Sequence, residues 1–111
     1  MSKSKLEFIL QMVDDIEYII AQHNGIVTDA LSHRISKPAV LMSLLQIGET
    51  LGKMKFENDI LAEYAKGAYN VRNFIAHDYE GVNMAIIENI VRTMLKPLKE
   101  AIQTEFKKDE K

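Results

Sequence analysis

The 111-residue sequence contains no cysteine, which excludes a disulfide framework, a thiolate metal site and a cysteine nucleophile. This absence agrees with a reducing compartment such as the cytoplasm. Long hydrophobic runs are missing as well. No stretch approaches the roughly 20 apolar residues of a membrane span, and no apolar segment typical of a secretory signal follows the first residues. We therefore expect a cytoplasmic protein that does not enter a membrane.

The sequence also lacks an excess of positive charge. Its 14 lysines and arginines stand against 16 aspartates and glutamates, giving a formal net charge of −2. This balance argues against a basic surface that would bind nucleic acid non-specifically. The hydrophobic fraction of 47% and the charged fraction of 27% are typical of a folded protein. The length fits one domain spanning residues 1–111.

Breaks in the helical pattern are few, because the sequence contains only two prolines and five glycines. The alternation typical of strands is nearly absent, and apolar residues instead recur at three- and four-residue steps. A short helical turn is expected within residues 26–37. Short connections between long helices predict an all-α, antiparallel four-helix bundle. The four long helices are predicted at residues 4–23, 38–55, 58–77 and 83–107.

Several residues mark the expected helix ends. Asn24 and Gly25 are typical of a helix stop, and Pro38 suits the first position of the second helix. Asn83 is a favourable N-cap for the last helix, with Val82 and Ile87 placed to flank it as a hydrophobic staple.

Three features interrupt or end the predicted helices. Gly48 lies in the middle of the second helix, where glycine costs about 1 kcal/mol relative to alanine, so we interpret it as a close contact between helices. Pro97 should kink the last helix, because it removes a backbone hydrogen bond and crowds the preceding turn. Residues 107–111 are expected to form a frayed, solvated tail.

Metal and cofactor chemistry are not indicated. A di-iron bundle uses glutamates three residues before its histidines, but Ile20, Ala30 and Phe74 occupy those positions. His23 and His33 are expected on the surface near loops. No glycine-rich phosphate loop is present, and we expect no metal and no cofactor.

The segment richest in side chains that could take part in catalysis is residues 70–79, at the end of the third predicted helix. Asn73 and His77 share a helix face as an i,i+4 pair. Arg72 lies about 140° from His77, because five residues turn through about 500°. The two side chains would meet if the helix tightened or unwound near its end, or if two chains assembled the site. The structural alternative is a helix-end cluster of His77 with Asp78, beside an exposed, solubilising Arg72.

The spacing Arg72-x4-His77-x-Tyr79 resembles the signature of HepT proteins in the HEPN superfamily, with Asn73 matching the polar residue that follows their arginine. Two more stretches are similar to these proteins, namely Ile47-Gly48-Glu49-Thr50 and Lys96-Pro97-Leu98. The resemblance extends over nearly the whole chain and implies an HEPN-type four-helix bundle.

The resemblance also implies a metal-independent endoribonuclease that acts as the toxin of a type VII toxin–antitoxin pair. RNA carries its own nucleophile, the 2′-hydroxyl, so such a protein needs a proton-transfer group and a positive charge. His77 suits the first role, because histidine changes charge near neutral pH. Arg72 suits the second, because its planar fork of donors matches a phosphate. Asn73 is a third catalytic candidate, and Glu49 and Asp78 are candidates for the same cleft.

Tyr79 has a different implied role as the acceptor of AMP from a minimal nucleotidyltransferase antitoxin. The bulk and negative charge of the nucleotide would repel RNA. The remaining expected partners are an RNA substrate and a second copy of the chain, since apolar residues on two sides of the first helix favour a homodimer. Two alternatives stay open: a non-catalytic dimeric module that binds a nucleotidyltransferase or its substrate, and a purely structural bundle.

Overall fold

A computed structural model describes residues 3–109, and within that range the chain forms six α-helical segments and no strand. This confirms the all-α prediction. The segments are α1 (Lys3–Ala21), α2 (Val27–Ser32), α3 (Ser36–Gly52), α4 (Asp59–His77), α5 (Met84–Thr93) and α6 (Leu95–Asp109).

The long segments form the predicted antiparallel four-helix bundle, in which α5 and α6 together make the fourth helix. α3 is the central element and packs against both α1 and α4, while α6 closes the bundle against α1 and α4. The short α2 is the expected extra turn, and it packs on α3 and α5. Among residues 3–109, no helix combines the length and the apolar character needed to cross a bilayer.

The core consists of aliphatic side chains from all six segments. On α1 the three- and four-residue steps place five aliphatic residues, from Leu6 to Ile20, on one stripe; the first four are buried and Ile20 is partly buried. Each fully buried aliphatic side chain contributes roughly 1.5–3 kcal/mol relative to an exposed one. Phe8 lies off this stripe and remains 40% exposed, whereas Met12 is partly buried against the core. The fully buried members on α1 are Leu6, Ile9, Val13 and Ile16.

The first helix ends at Ala21, two residues earlier than predicted, because the chain already turns there. Asn24 and Gly25 adopt positive φ angles of 59° and 78°, a left-handed conformation that ends helices. The Gly25 amide donates to the carbonyl of Ile20 at 3.0 Å. The predicted stop is therefore confirmed, with the helical residues ending just before it.

The prediction that Pro38 begins the second long helix is wrong, because α3 begins at Ser36. Proline is tolerated in the third helical position, since the first four N–H groups of a helix have no partner within it. The His33 side chain provides an acceptor for two backbone N–H groups at the start of α3. Its Nδ1 accepts the N–H of Ile35 and of Ser36, each at 3.2 Å. His33 is exposed as expected, but His23 is half-buried and its Nε2 lies 2.8 Å from Ser36 Oγ. The other end of α3 is Gly52, three residues before the predicted one.

Near Pro97, where a kink is expected, the fourth helix is interrupted at Met94. The break falls before the proline because the ring removes the N–H that would bond Thr93 and crowds that carbonyl. Asn83 is the N-cap of α5, and its Oδ1 accepts the Ala85 N–H at 2.9 Å. Val82 and Ile87, on either side of this cap, are both buried in the core.

The C-terminal tail differs from its prediction. α6 extends to Asp109, so Lys107 and Lys108 are helical rather than frayed. The last two positions of the predicted tail, 110 and 111, lie outside the described residues.

Candidate functional site

The candidate site lies on α4, and side-chain hydrogen bonds hold the first turn of this helix in place. The side-chain oxygen of Asn58 accepts the backbone N–H of Ile60 at 2.8 Å and of Leu61 at 3.2 Å. The amide of the same Asn58 donates to Glu105 of α6 at 2.8 Å. One residue therefore caps α4 and ties it to α6. At the other end, His77 occupies the last turn of α4.

Arg72 is held by Glu49, a residue of the neighbouring helix α3. Its Nε donates to Glu49 Oε2 at 2.7 Å, and its side chain remains 33% exposed. Gly48 makes this pairing possible, because a Cβ there would overlap the Cβ of Arg72 and the backbone carbonyl of Ala68. The close helix contact predicted at Gly48 is therefore present, and it places Glu49 beside Arg72.

Glu49 is held between two cations. Its Oε1 lies 3.3 Å from Lys53 Nζ, one turn further along α3. The hydrogen bond from Lys53 and the positive charge of Arg72 keep the pKa of Glu49 below its ordinary value. Glu49 is thus an anion at neutral pH that orients Arg72.

Two more residues of α4 surround the Arg72 guanidinium. Asn73 Oδ1 accepts from Arg72 Nη1 at 2.9 Å, so Asn73 is bonded to the arginine rather than to the imidazole of His77. The guanidinium carbon lies 5.8 Å from the ring centre of Tyr69, within cation–π range. Tyr69 did not emerge from the motif, although its i,i+3 spacing to Arg72 was a usable signal. A guanidinium has five N–H donors, and the bonds to Glu49 and Asn73 use two of them.

His77 is exposed, and its side chain makes no hydrogen bond or ion pair with the residues of the 3–109 range. The chain stays α-helical through His77, so unwinding does not turn the imidazole toward Arg72. The angular separation of about 140° therefore remains. A single chain places Arg72 beside α3 and His77 on the outward face of α4.

Asp78 and Tyr79 follow the helix end and have separate partners. Asp78 Oδ1 accepts the Gly81 N–H at 3.0 Å in a tight turn, so the alternative cluster of His77 with Asp78 is not formed. The half-buried Tyr79 donates its hydroxyl proton to the Pro38 carbonyl at 3.2 Å. It lines a shallow surface pocket of about 280 Å³ next to Lys37.

The structure thus brings Arg72, Asn73 and Glu49 together and leaves His77, Asp78 and Tyr79 outside that hydrogen-bonded group. Within residues 3–109, no three histidine, aspartate or glutamate side chains are grouped so that they would hold a metal ion.

The described residues form an all-α bundle that carries Arg72, Asn73 and His77 on one helix. The chain matches the family described as "Ribonuclease HepT-like" over residues 6–105. It is therefore a member of the HepT-like ribonuclease family, as the motif predicted. No curated protein and no solved structure matches the chain.

Proposed function

We propose that this protein is a metal-independent endoribonuclease that acts as the toxin of a toxin–antitoxin pair. The observation that carries the proposal is the placement of Arg72 in a chain of the HepT-like ribonuclease family. Glu49 and Asn73 hold the guanidinium partly exposed, with donors left over for a phosphate. A positioned cation of this kind stabilises the negative charge that develops on a phosphate during cleavage.

The remaining chemistry is proton transfer. In the proposed reaction the RNA 2′-hydroxyl loses its proton and attacks the adjacent phosphorus. The bond from phosphorus to the 5′-oxygen breaks, and that oxygen gains a proton, leaving a 2′,3′-cyclic phosphate and a free 5′-hydroxyl. His77 performs proton transfer, because it is exposed and histidine exchanges protons near neutral pH. Neither step requires an additional reactant.

A symmetric homodimer is the second part of the proposal, because Arg72 and His77 lie on different faces of one α4. A two-fold axis near this helix would bring one protomer's Arg72 toward its partner's His77. Phe74 supports this arrangement, since it is 39% exposed on the outward face of α4 beside His77. The dimer would also combine two Arg72 cations in one cleft, which supplies local positive charge to a chain with net charge −2.

A nucleotidyltransferase antitoxin is the proposed partner, with Tyr79 as its AMP acceptor. Tyr79 is half-buried at the surface, and its pocket also contains Lys37, whose charge would favour an incoming phosphate. The nucleotide would add bulk and negative charge near the end of α4 and so oppose RNA binding.

The test is cleavage of RNA by the purified protein in the presence of EDTA. We expect cleavage by the wild type and loss of at least about 100-fold in both His77→Ala and Arg72→Ala. For His77→Ala the reason is that general acid–base groups contribute about 10²–10⁴-fold, and for Arg72→Ala that a positioned charge-stabilising donor contributes about 10²–10³-fold. Arg92→Ala is the matched control, because Arg92 forms an ordinary ion pair with Glu88 on α5. Circular dichroism verifies that each variant is folded. Full cleavage by His77→Ala, or loss of cleavage with EDTA alone, would refute the mechanism.

A non-catalytic binding module is the second candidate, and one observation favours it. Within the described part of a single chain, His77 makes no hydrogen bond with Arg72, so the catalytic pair is not assembled there. If the wild type binds its partner nucleotidyltransferase but leaves RNA intact as a verified dimer, the binding function replaces the ribonuclease.

A further inference from the structure

We infer that a pocket between α1 and α3 binds one nucleotide of single-stranded RNA beside Arg72. This inference rests on the proposed ribonuclease function and specifies how its substrate is held. The pocket has a volume of about 400 Å³, within the usual range of small-ligand sites. We call it the α1–α3 pocket, and its main lining residues are Lys5 and Phe8 of α1 with Gln46, Glu49, Thr50 and Lys53 of α3.

Phe8 provides a surface on which a base can stack. It is an aromatic side chain left 40% exposed on a helix whose aliphatic residues Leu6 and Ile9 are fully buried. Lys5 stands three residues before it, so both side chains lie on the same helix face. An exposed aromatic ring next to cations is the combination that holds single-stranded nucleic acid, because every base has a face that can stack.

The charge around the pocket favours an anion, although the whole chain is slightly acidic. Among the lining residues, Lys5 and Lys53 contribute +2 and Glu49 contributes −1, which leaves +1 in a chain whose total is −2. Arg72 adds a further positive charge beside Glu49. Lys53 is also highly exposed, so its ammonium can contact a phosphate while it remains near Glu49. Local positive charge of this kind attracts a polyanion even when the net charge is negative.

Glu49 connects the pocket to the candidate catalytic group. One oxygen of its carboxylate pairs with Lys53 and the other with Arg72, at 3.3 Å and 2.7 Å. Glu49 therefore both lines the α1–α3 pocket and binds Arg72. An RNA strand whose phosphate contacts Arg72 reaches the pocket with a neighbouring nucleotide.

Single-stranded RNA fits these features better than a duplex. A base must leave its helix to stack on a side chain, and sequence-selective proteins usually take such bases from single strands or loops. The amide of Gln46 and the hydroxyl of Thr50 offer hydrogen bonds to the edge of that base. The only partner described for the Gln46 amide is the sulfur of Met42, at 3.9 Å, and such a weak contact is easily exchanged.

The test measures the affinity of a fluorescein-labelled, 12-nucleotide single-stranded RNA by anisotropy. A His77→Ala background preserves the RNA during the measurement. Phe8→Ala and Phe8→Leu should each weaken binding by roughly 5- to 100-fold, the range expected for removal of one stacked base. Phe8→Tyr retains the ring and should retain affinity. Tyr18→Ala is the matched control, because Tyr18 is a 66% exposed aromatic residue on α1 outside the pocket.

A second variant tests the phosphate contact. Lys53→Gln should make the slope of log affinity against log salt shallower by about 0.7, the value for one phosphate contact on a single strand. Lys107→Gln, which removes an exposed lysine near the far end of α6, should leave that slope unchanged. A slope in Lys53→Gln equal to that of the wild type would overturn the assignment of this lysine.

The outcomes separate this inference from the proposed function. Wild-type cleavage combined with unchanged RNA affinity in Phe8→Ala overturns the pocket and leaves the ribonuclease standing. Absence of wild-type cleavage combined with weakened RNA binding in Phe8→Ala overturns the ribonuclease and supports the pocket. If Phe8→Ala weakens only the binding of a partner protein, the α1–α3 pocket is a protein contact and the inference is wrong.

Discussion

Gly48 of α3 lies directly against the Cβ of Arg72 on α4, with no space between them for another side chain. The same approach brings Gly48 against the backbone carbonyl of Ala68. It also sets the ion pair between Glu49 and Arg72 at 2.7 Å. The distance between two helices therefore determines the position of the candidate phosphate-binding group.

Gly48→Ala should destabilise the protein. The new methyl group meets a backbone carbonyl that cannot rotate away, and overpacking of this kind costs about 1–3 kcal/mol. That cost opposes the gain of about 1 kcal/mol from replacing glycine in a helix. Urea denaturation at one fixed protein concentration measures the free energy of unfolding.

Gly67→Ala is the matched control for Gly48→Ala, because Gly67 also lies within a long helix but its Cβ would meet open space. We expect it to raise the free energy of unfolding by roughly 0.4–1 kcal/mol. If Gly48→Ala proves as stable as Gly67→Ala, the close contact between α3 and α4 does not constrain the fold.

Glu49→Gln should reduce RNA cleavage on the order of 10- to 100-fold, because a small displacement of Arg72 misaligns the phosphate. Glu49 acts here as a positioning residue, and circular dichroism should show an unchanged fold. Glu88→Gln removes a comparable glutamate–arginine pair on α5, so it should leave cleavage unchanged. Equal activity in both variants would show that Glu49 does not position Arg72.

Glu49 should also make stability depend on pH. Its folded-state pKa is lowered by Lys53 and Arg72, so its contribution is present above its ordinary pKa and lost as the pH falls. We expect the wild type to be more stable than Glu49→Gln at pH 7. The difference should shrink as the pH is lowered below the ordinary pKa of a glutamate, about 4.3. Urea titrations at several pH values measure it, and a difference that grows toward pH 3 would contradict the assigned direction.

A mixing experiment tests whether two chains form one catalytic site. Arg72→Ala and His77→Ala are each expected to be inactive as homodimers. A mixed dimer retains one site with an intact Arg72 and an intact His77 from different chains, provided that each site combines both protomers. Random exchange of subunits should therefore restore about a quarter of the wild-type activity, since half of the dimers are mixed and each has one intact site. No recovery after verified subunit exchange would place the whole site within one chain.

Tyr79→Phe should remain toxic and escape neutralisation by AMP transfer. The variant removes the acceptor oxygen and the hydrogen bond to the Pro38 carbonyl but retains the ring. Loss of that bond should lower the free energy of unfolding by at most about 1.5 kcal/mol at this partly exposed position. Intact-mass measurement after incubation with the nucleotidyltransferase and ATP detects the modification. An AMP-sized mass increase that persists in Tyr79→Phe would place the acceptor elsewhere.

Local sequence patterns were sufficient to predict the helices and several of their caps, ends and interruptions. The apolar stripe of α1, the cap at Asn83 and the interruption near Pro97 each depend on residues within a turn or two of one another. The cluster of Arg72, Asn73, His77 and Tyr79 was visible for the same reason. The boundary errors at Ala21 and Ser36 arose where the helix end depended on a turn or on a side chain such as His33.

The environment of Arg72 depends instead on residues distant in the chain. Its ion pair joins it to Glu49, 23 positions away, and the α1–α3 pocket combines Phe8 with Lys53. Helical periodicity indicates which face of each helix is apolar, but it does not specify which helices meet or how closely they approach. That approach follows from packing at positions such as Gly48, where the absence of a side chain allows α3 to contact α4.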